Sequence, residues 1–468
     1  MAGEIFVQTN SKIAELILEK LPAECWNDPE YVFLDICSKN GMLLKLAFDK
    51  LMNGLADAFP DEKERGRHIL GRQLAAISPN QESLDATIKE VFGEEFAGRA
   101  FYRKSVHHWD DKGFCRECGI KKAAYAGATE FNAYPGLHRS VEMSRWLRTV
   151  MPSGEKLAIV SDPVFFIPFM KSTKSYPIYD KYFSTAAAMK PAHIAMNLAA
   201  RWMVNAGKKA SEFRNVLANS YRIEDFDWID NGSPLFYKNV SLQDGICIVH
   251  WNSKWNSKNC RFTTHGADGK AVTEIRRLSR GGFVYNSSVK MELGFIVDKF
   301  LKSGKEKTLS DLYLAPKTFG IPTNFSDYSE TPFENAVKVH LGGSRSGWIR
   351  KDQIVRNKQL VDKITVAIYE SYSNGNAKGF ICGQGECTSA TAANFGPFRN
   401  YEEGKTFLHN ITTSKYAKAF IELCKNTQHA CIDVYRLFPA KGITKDSYDE
   451  NIKTCLGIPD SLHQAIIG

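Results

Sequence analysis

Three stretches of the chain combine residue types at spacings that could support chemistry. The first is Ser161-Asp-Pro-Val-Phe165, directly after the apolar run Leu157-Ala-Ile-Val160. Asp-Pro after a strand is often only a turn. The carboxyl-end tip of an apolar strand is, however, where ligands bind in open α/β sheets. The second stretch, Asp35-Ile-Cys-Ser-Lys-Asn-Gly41, follows the apolar run Tyr31-Val-Phe-Leu34. A turn of this kind lets backbone amides approach a cofactor, with Gly41 giving room where a helix begins. An ordinary strand–helix turn reads the same way. It has neither the G-x-G-x-x-G of a dinucleotide site nor the G-x-x-x-x-G-K of a phosphate loop. The third is Cys115-Arg-Glu-Cys118-Gly119, a knuckle that points two thiolates at one tetrahedral ion. His107, eight residues before Cys115, and His138, twenty after Cys118, complete a set of two sulfurs and two nitrogens. A pair of free surface thiols is the plain alternative. A redox pair is disfavoured, because no strand–helix junction precedes it.

These groups need a scaffold. Ile13, Leu16, Ile17 and Leu21 recur at helical spacing over residues 10–22, closing at Pro22. Tyr31–Leu34 reads as a buried parallel strand and Met42–Met52 as the helix after it. Strands are also expected at His68–Ile77, Leu157–Val160, Ile194–Leu198 and Ile246–His250, with helices at Ile178–Lys190 and Lys209–Asn219 between them. Alternating strands and helices imply a mostly parallel sheet covered on both faces. Beyond the polar connection Asn252–Asn259 the texture turns to Gly-, Ser- and Arg-rich loops, which places a domain boundary near residue 265.

The chain has 468 residues, suited to two or three domains. No apolar stretch reaches the length of a membrane span. The opening Met1–Thr9 lacks a signal-peptide pattern, and eleven cysteines without one suit a reducing compartment, so a cytoplasmic location is expected. A net charge of +9 favours a polyanionic partner without requiring one. Arg276-Arg277, Arg280, Arg345, Arg350-Lys351 and Arg356 are interleaved with Tyr285, Trp348 and Tyr401. The loop Gly342–Trp348 suits approach to phosphates or base edges; a solvated basic face reads equally well.

Taken together, these motifs resemble the N6-adenine DNA methyltransferases of restriction-modification systems, in which D-P-x-C-G-x-G precedes N-P-P-Y. The resemblance implies a Rossmann-like α/β domain over residues 1–264, carrying a zinc-knuckle insertion at about 100–140. A C-terminal α+β target-recognition domain then covers 265–468. It implies S-adenosylmethionine as cofactor, held by Thr9, Asp35, Cys37, Ser38 and Gly41. Departures are Asn10 for the proline of the upstream F-T-P motif, Ile36 for the turn's proline, Lys39 for its inner glycine, and Ile77-Ser78 where an acid grips the ribose.

In that family an exocyclic amine becomes nucleophilic when a side-chain oxygen and the next carbonyl accept its two hydrogens. An aromatic ring stacks on the base, which is flipped from the duplex. The resemblance carries these roles to Asp162, to the carbonyl of Pro163, and to Phe165; Val164 replaces a stiffening proline. Downstream, Tyr176–Tyr182, His193–Trp202, Ala206–Lys209, Leu235–Asn239 and Gly245–Trp251 match family segments and assign base contact to Phe236, with Tyr237 as alternate. The H-T-W … C-x-x-C-G … H pattern selects His107 over His108 as zinc ligand beside Cys115, Cys118 and His138, and Arg345 and Trp348 fall to DNA recognition. Double-stranded DNA is the implied partner, with room for a companion restriction or modification subunit. Rival expectations are a DNA-binding protein that has lost catalysis, and an enzyme acting on cytosine N4 or an RNA base.

Overall fold

The computed structural model describes residues 8–104, 106–119, 121–122, 135–138, 140–151, 156–168, 175–203, 208–238, 242, 244–280, 283–304, 307–314, 317–342, 345–369, 377–424, 435 and 437–468. Phe6, Val7, Ala206, Gly207 and Asn239, drawn into the sequence matches, lie outside them. Among the described residues no helix is long and apolar enough to cross a membrane. The chain divides into two compact units, Met1–Trp202 with Glu212–Leu278, and Met203–Ser211 with Ser279–Gly468.

The first unit is built on a mixed, mostly parallel sheet. Its strands are β1 (Val32–Asp35), β2 (Leu74–Ile77), β3 (Ala100–Phe101), β4 (Leu157–Ser161), β5 (His193–Ala199), β6 (Ile223–Ile229), β7 (Ile246–Asn252), β8 (Asn259–His265) and β9 (Ala271–Arg277). They lie in the order β9-β8-β6-β7-β5-β4-β1-β2-β3. β3 to β5 are joined by parallel pairings, and β7 runs antiparallel to both its neighbours. Every residue of β2, β4 and β5 is buried, as parallel strands covered on both faces require. Helices α1 (Ser11–Glu19) and α2 (Met42–Gly54) bury one apolar face each, Ile13, Ile17 and Leu18 on α1 and Leu43, Leu44, Ala47 and Leu51 on α2. The chain steps outward from β1 to β3 and then restarts at β4 on the other flank of β1. That reversal opens a crevice at the carboxyl ends of β1 and β4, the usual place for a ligand.

Two expectations need correction. Residues 68–73 are helical, completing the segment Glu62–His68 with one wide turn, Ile69–Gln73, so only Leu74–Ile77 is strand. The first unit also runs past residue 265 to Leu278. β9 pairs along its whole length with β8, but its residues are mostly exposed and polar, which hides a strand from a hydrophobicity reading.

The second unit holds two three-stranded sheets and several helices around a core that includes Phe395, Phe407, Phe420 and Tyr435. Its hairpin Val337–His340 with Ser346–Ile349 carries Arg345 and Trp348. Arg345 is exposed at the tip and Trp348 is half-buried in backbone hydrogen bonds with Ser329. Three other members of the expected basic face are structural, while Arg277, Arg350, Lys351, Arg356 and Tyr401 are exposed. Arg276 belongs to the first unit, buried with its guanidinium 3.7 Å from the Phe262 ring centroid. In the second unit Arg280 pairs with Glu292 and stacks on Phe295, and Tyr285 is buried.

Candidate active site

The turn after β1 and the segment after β4 face each other across the crevice. Within the turn, the Asp35 carboxylate accepts hydrogen bonds at Oδ1 from the Cys37 amide (3.0 Å) and the Ser161 hydroxyl (2.7 Å). Asp35 thus fastens the turn to the end of β4. The Ser38 amide donates to the Ile77 carbonyl and its hydroxyl meets Thr87 at 3.0 Å, which directs that side chain into the fold. The Cys37 thiol lies in hydrogen-bonding reach of Tyr182 and the Val164 backbone, and burial pushes its pKa up to about 11. Gly41 opens α2 at φ +73°, a left-handed conformation suited to glycine; a Cβ there would lie 2.9 Å from Val91. Thr9 is buried and its carbonyl accepts from Asn40 of the turn at 3.4 Å.

Across from the turn, Asp162 is 1% exposed and both its carboxylate oxygens have partners. Its Oδ1 accepts from Asn197 Nδ2 at 2.9 Å, and its Oδ2 from the Tyr237 hydroxyl at 2.7 Å. Oδ2 also faces Lys39 Nζ at 3.2 Å, an ion pair with side chains 3% and 1% exposed. Asn197 donates to Tyr237 as well, at 2.8 Å, while its own Oδ1 is buried with no hydrogen-bond partner among the described residues. A buried unmatched acceptor carries a desolvation cost that an incoming N–H would relieve. Phe165 meets Tyr237 edge-on at 6.4 Å between centroids, and Phe236 meets Tyr237 at 5.9 Å. Tyr237 is therefore the member of that pair tied to the carboxylate. Burial, and then the Asp162 charge, push its hydroxyl well above its ordinary pKa, so it stays protonated and donates.

Sequence reasoning placed Asp162 and Phe165 here but missed Lys39 as partner of Asp162, and missed Asn197 entirely. The latter had a signal: it is the sole amide side chain within the otherwise largely apolar strand β5, His193–Ala199. A polar side chain at a fully buried strand position needs partners.

Burial raises the Asp35 carboxyl to about 6, against the lowering effect of its two donors and Lys39. A raised acid stabilises the fold most below its unfolded value, near 4, and that contribution is lost as pH rises through about 6. Asp35→Asn keeps an oxygen for both donors and cannot ionise. Its stability relative to wild type should climb by about 3 kcal/mol between pH 4 and 7 and then level off, measured by urea unfolding. A flat difference across that window would remove Asp35 as the titrating group.

The four expected metal ligands come together in the insertion. His107 Nδ1 lies 3.4 Å from Cys118 Sγ, and His138 Nε2 3.4 Å from Cys115 Sγ. All four donor atoms lie within 4.8 Å of one another and all four residues are buried. A tetrahedral zinc, with about 2.3 Å to sulfur and about 2.0 Å to nitrogen, needs sulfur–nitrogen separations of about 3.5 Å, so the residues present fit the ion. Burial lowers His107 to about 4 and His138 to about 3, leaving neutral imidazoles with lone pairs to donate. His108 is exposed beside Glu117. The insertion also touches the turn: a Cβ at Gly136 would lie 2.3 Å from the Ile36 carbonyl oxygen.

No family model matches the chain. It is similar to an uncharacterized adenine-specific methylase of Mycoplasma pneumoniae, 23% identical over 299 residues, 56% of this chain and 69% of that protein. Among solved structures it is similar to a nuclease-deletion mutant of the Type ISP restriction-modification enzyme LlaGI in complex with a DNA substrate mimic. There the TM-score is 0.50 at 10% identity, covering 92% of this chain and 53% of that one, so this chain spans about half the length of that enzyme. The likeness is one of fold. Both findings agree with the resemblance carried by the turn and by Asp162–Phe165.

Proposed function

We propose that the chain is a DNA methyltransferase of the restriction-modification kind, moving a methyl group from S-adenosylmethionine to the N6 amine of adenine in a duplex. The observation that carries this reading is the confrontation, at the switch point of the sheet, of the Asp35–Gly41 turn with Asp162, Pro163 and Phe165. The backbone of the turn and Thr9 would hold the cofactor, which supplies an electrophilic methyl on a sulfonium. Asp162 Oδ1, with one donor already bound, keeps a lone pair for an amine hydrogen. The Pro163 carbonyl takes the second hydrogen, and Phe165 stacks on the flipped base with Phe236 and Tyr237 beside it. His107, Cys115, Cys118 and His138 would hold a structural zinc. The second unit, from Ser279 on, would read the DNA, with exposed Arg345 at a hairpin tip and Trp348 behind it. A cytoplasmic location suits this reading.

A second reading rests on one observation, the Lys39–Asp162 ion pair: a methyltransferase-like protein that binds DNA without modifying it. One experiment separates them. The chain is incubated with methyl-labelled S-adenosylmethionine and mixed-sequence duplex DNA, and the product is digested to nucleosides. N6-methyladenine supports the proposal, and N4-methylcytosine would correct the substrate. DNA binding and donor binding without any methylated base would favour the second reading.

A further inference from the structure

Resting on the reading just given, we infer that Lys39 sets how well the crevice distinguishes the cationic methyl donor from its neutral product. Methyl transfer requires the donor's methyl to point from the turn toward the amine held at Asp162. Lys39 is a residue of that turn, and its ammonium lies 3.2 Å from Oδ2 of the same Asp162. The residues that would hold the cofactor therefore fit it along the backbone and oppose it at this one side chain. An ammonium and a sulfonium are like charges, and two like charges a few ångströms apart at a buried site repel strongly. The thioether of S-adenosylhomocysteine carries no such charge at sulfur.

The local inventory of charge is small. Among the described residues of the site, Asp35 and Asp162 are buried carboxylates, and Lys39 is the cation whose charge acts on Asp35 from within the turn. The neutral donors Asn197 and Tyr237 hold Asp162 in place whatever occupies position 39. Replacing Lys39 by a neutral side chain leaves both carboxylates, so the sulfonium gains and the thioether changes little. Glycine, the family's residue at this place, would give the same electrostatic result and more room. The consequence for the wild-type chain is a resting site biased toward its own product.

The test is calorimetric titration of the intact chain with S-adenosylmethionine and with S-adenosylhomocysteine. The ratio of the two dissociation constants should move toward the donor by about tenfold or more in Lys39→Met, and stay within about threefold of wild type in Lys39→Arg, which keeps the charge. Lys39→Gln, able to donate a hydrogen bond toward Asp162, carries the test if the methionine variant does not fold. An unchanged ratio in a folded neutral variant overturns the inference while leaving the methyltransferase reading intact. Failure of wild type and variants alike to bind either compound overturns both.

Discussion

Asp162→Ala should lower methyl transfer by about 100-fold or more, the usual cost of removing one preorganised polar contact with the reacting group. The same change should also destabilise the protein. It removes the carboxylate that faces the Lys39 ammonium, and breaking a buried ion pair from one side costs about 3–5 kcal/mol. Lost activity and lost fold would then be confused, so a companion variant is needed. Lys39→Met/Asp162→Ala removes both members of the ion pair and should recover most of the stability without recovering transfer. Methylation rates read beside melting temperatures decide the matter. If the double variant regained wild-type transfer, Asp162 would be a structural partner of Lys39 and no acceptor of the target amine.

Cys118→Ser should have the second large effect. Wild-type protein purified without chelator should carry about one zinc per chain, and the variant well under half of that. Because the energy of binding a structural ion is folding energy, the melting temperature should fall by roughly 10 °C, equivalent to about 3 kcal/mol in a unit of this size. His108→Ala is the control: that ring is exposed and, among the described residues, pairs with Glu117, so metal content should not move. Metal-free wild type with an unaltered melting temperature would reduce the four residues to a packed cluster of thiols and imidazoles.

Much of the first unit was legible in the sequence, for a physical reason. Strands buried on both faces are written as apolar runs, and β1, β4, β5 and β7 are found within a residue or two of where those runs lie. β9 was invisible because an edge strand with solvent on its surface needs no such run. Residues 68–73 misled in the opposite sense, since Ile69 and Leu70 supply apolar character to a stretch that is helix. At the site, Asp162 could be found from its place after β4. Its partners could not, because Lys39 lies 123 residues away in sequence and Asn197 35, and no local pattern announces a contact over such separations. Arg276 and Tyr285 show the converse error, in which residue type suggested a surface that burial denies.

Gly136 ties the metal loop to the donor turn at a spacing that admits no side chain, with the Ile36 carbonyl on one side and the Tyr182 ring on the other. His138, two residues on, belongs to the cluster proposed to hold zinc, and Ile36 belongs to the turn. Thermodynamic reciprocity then applies to two sites that share no ligand. If zinc and a nucleoside bind as proposed, any factor by which zinc changes the nucleoside's affinity through Gly136 must equal the factor by which the nucleoside changes zinc's.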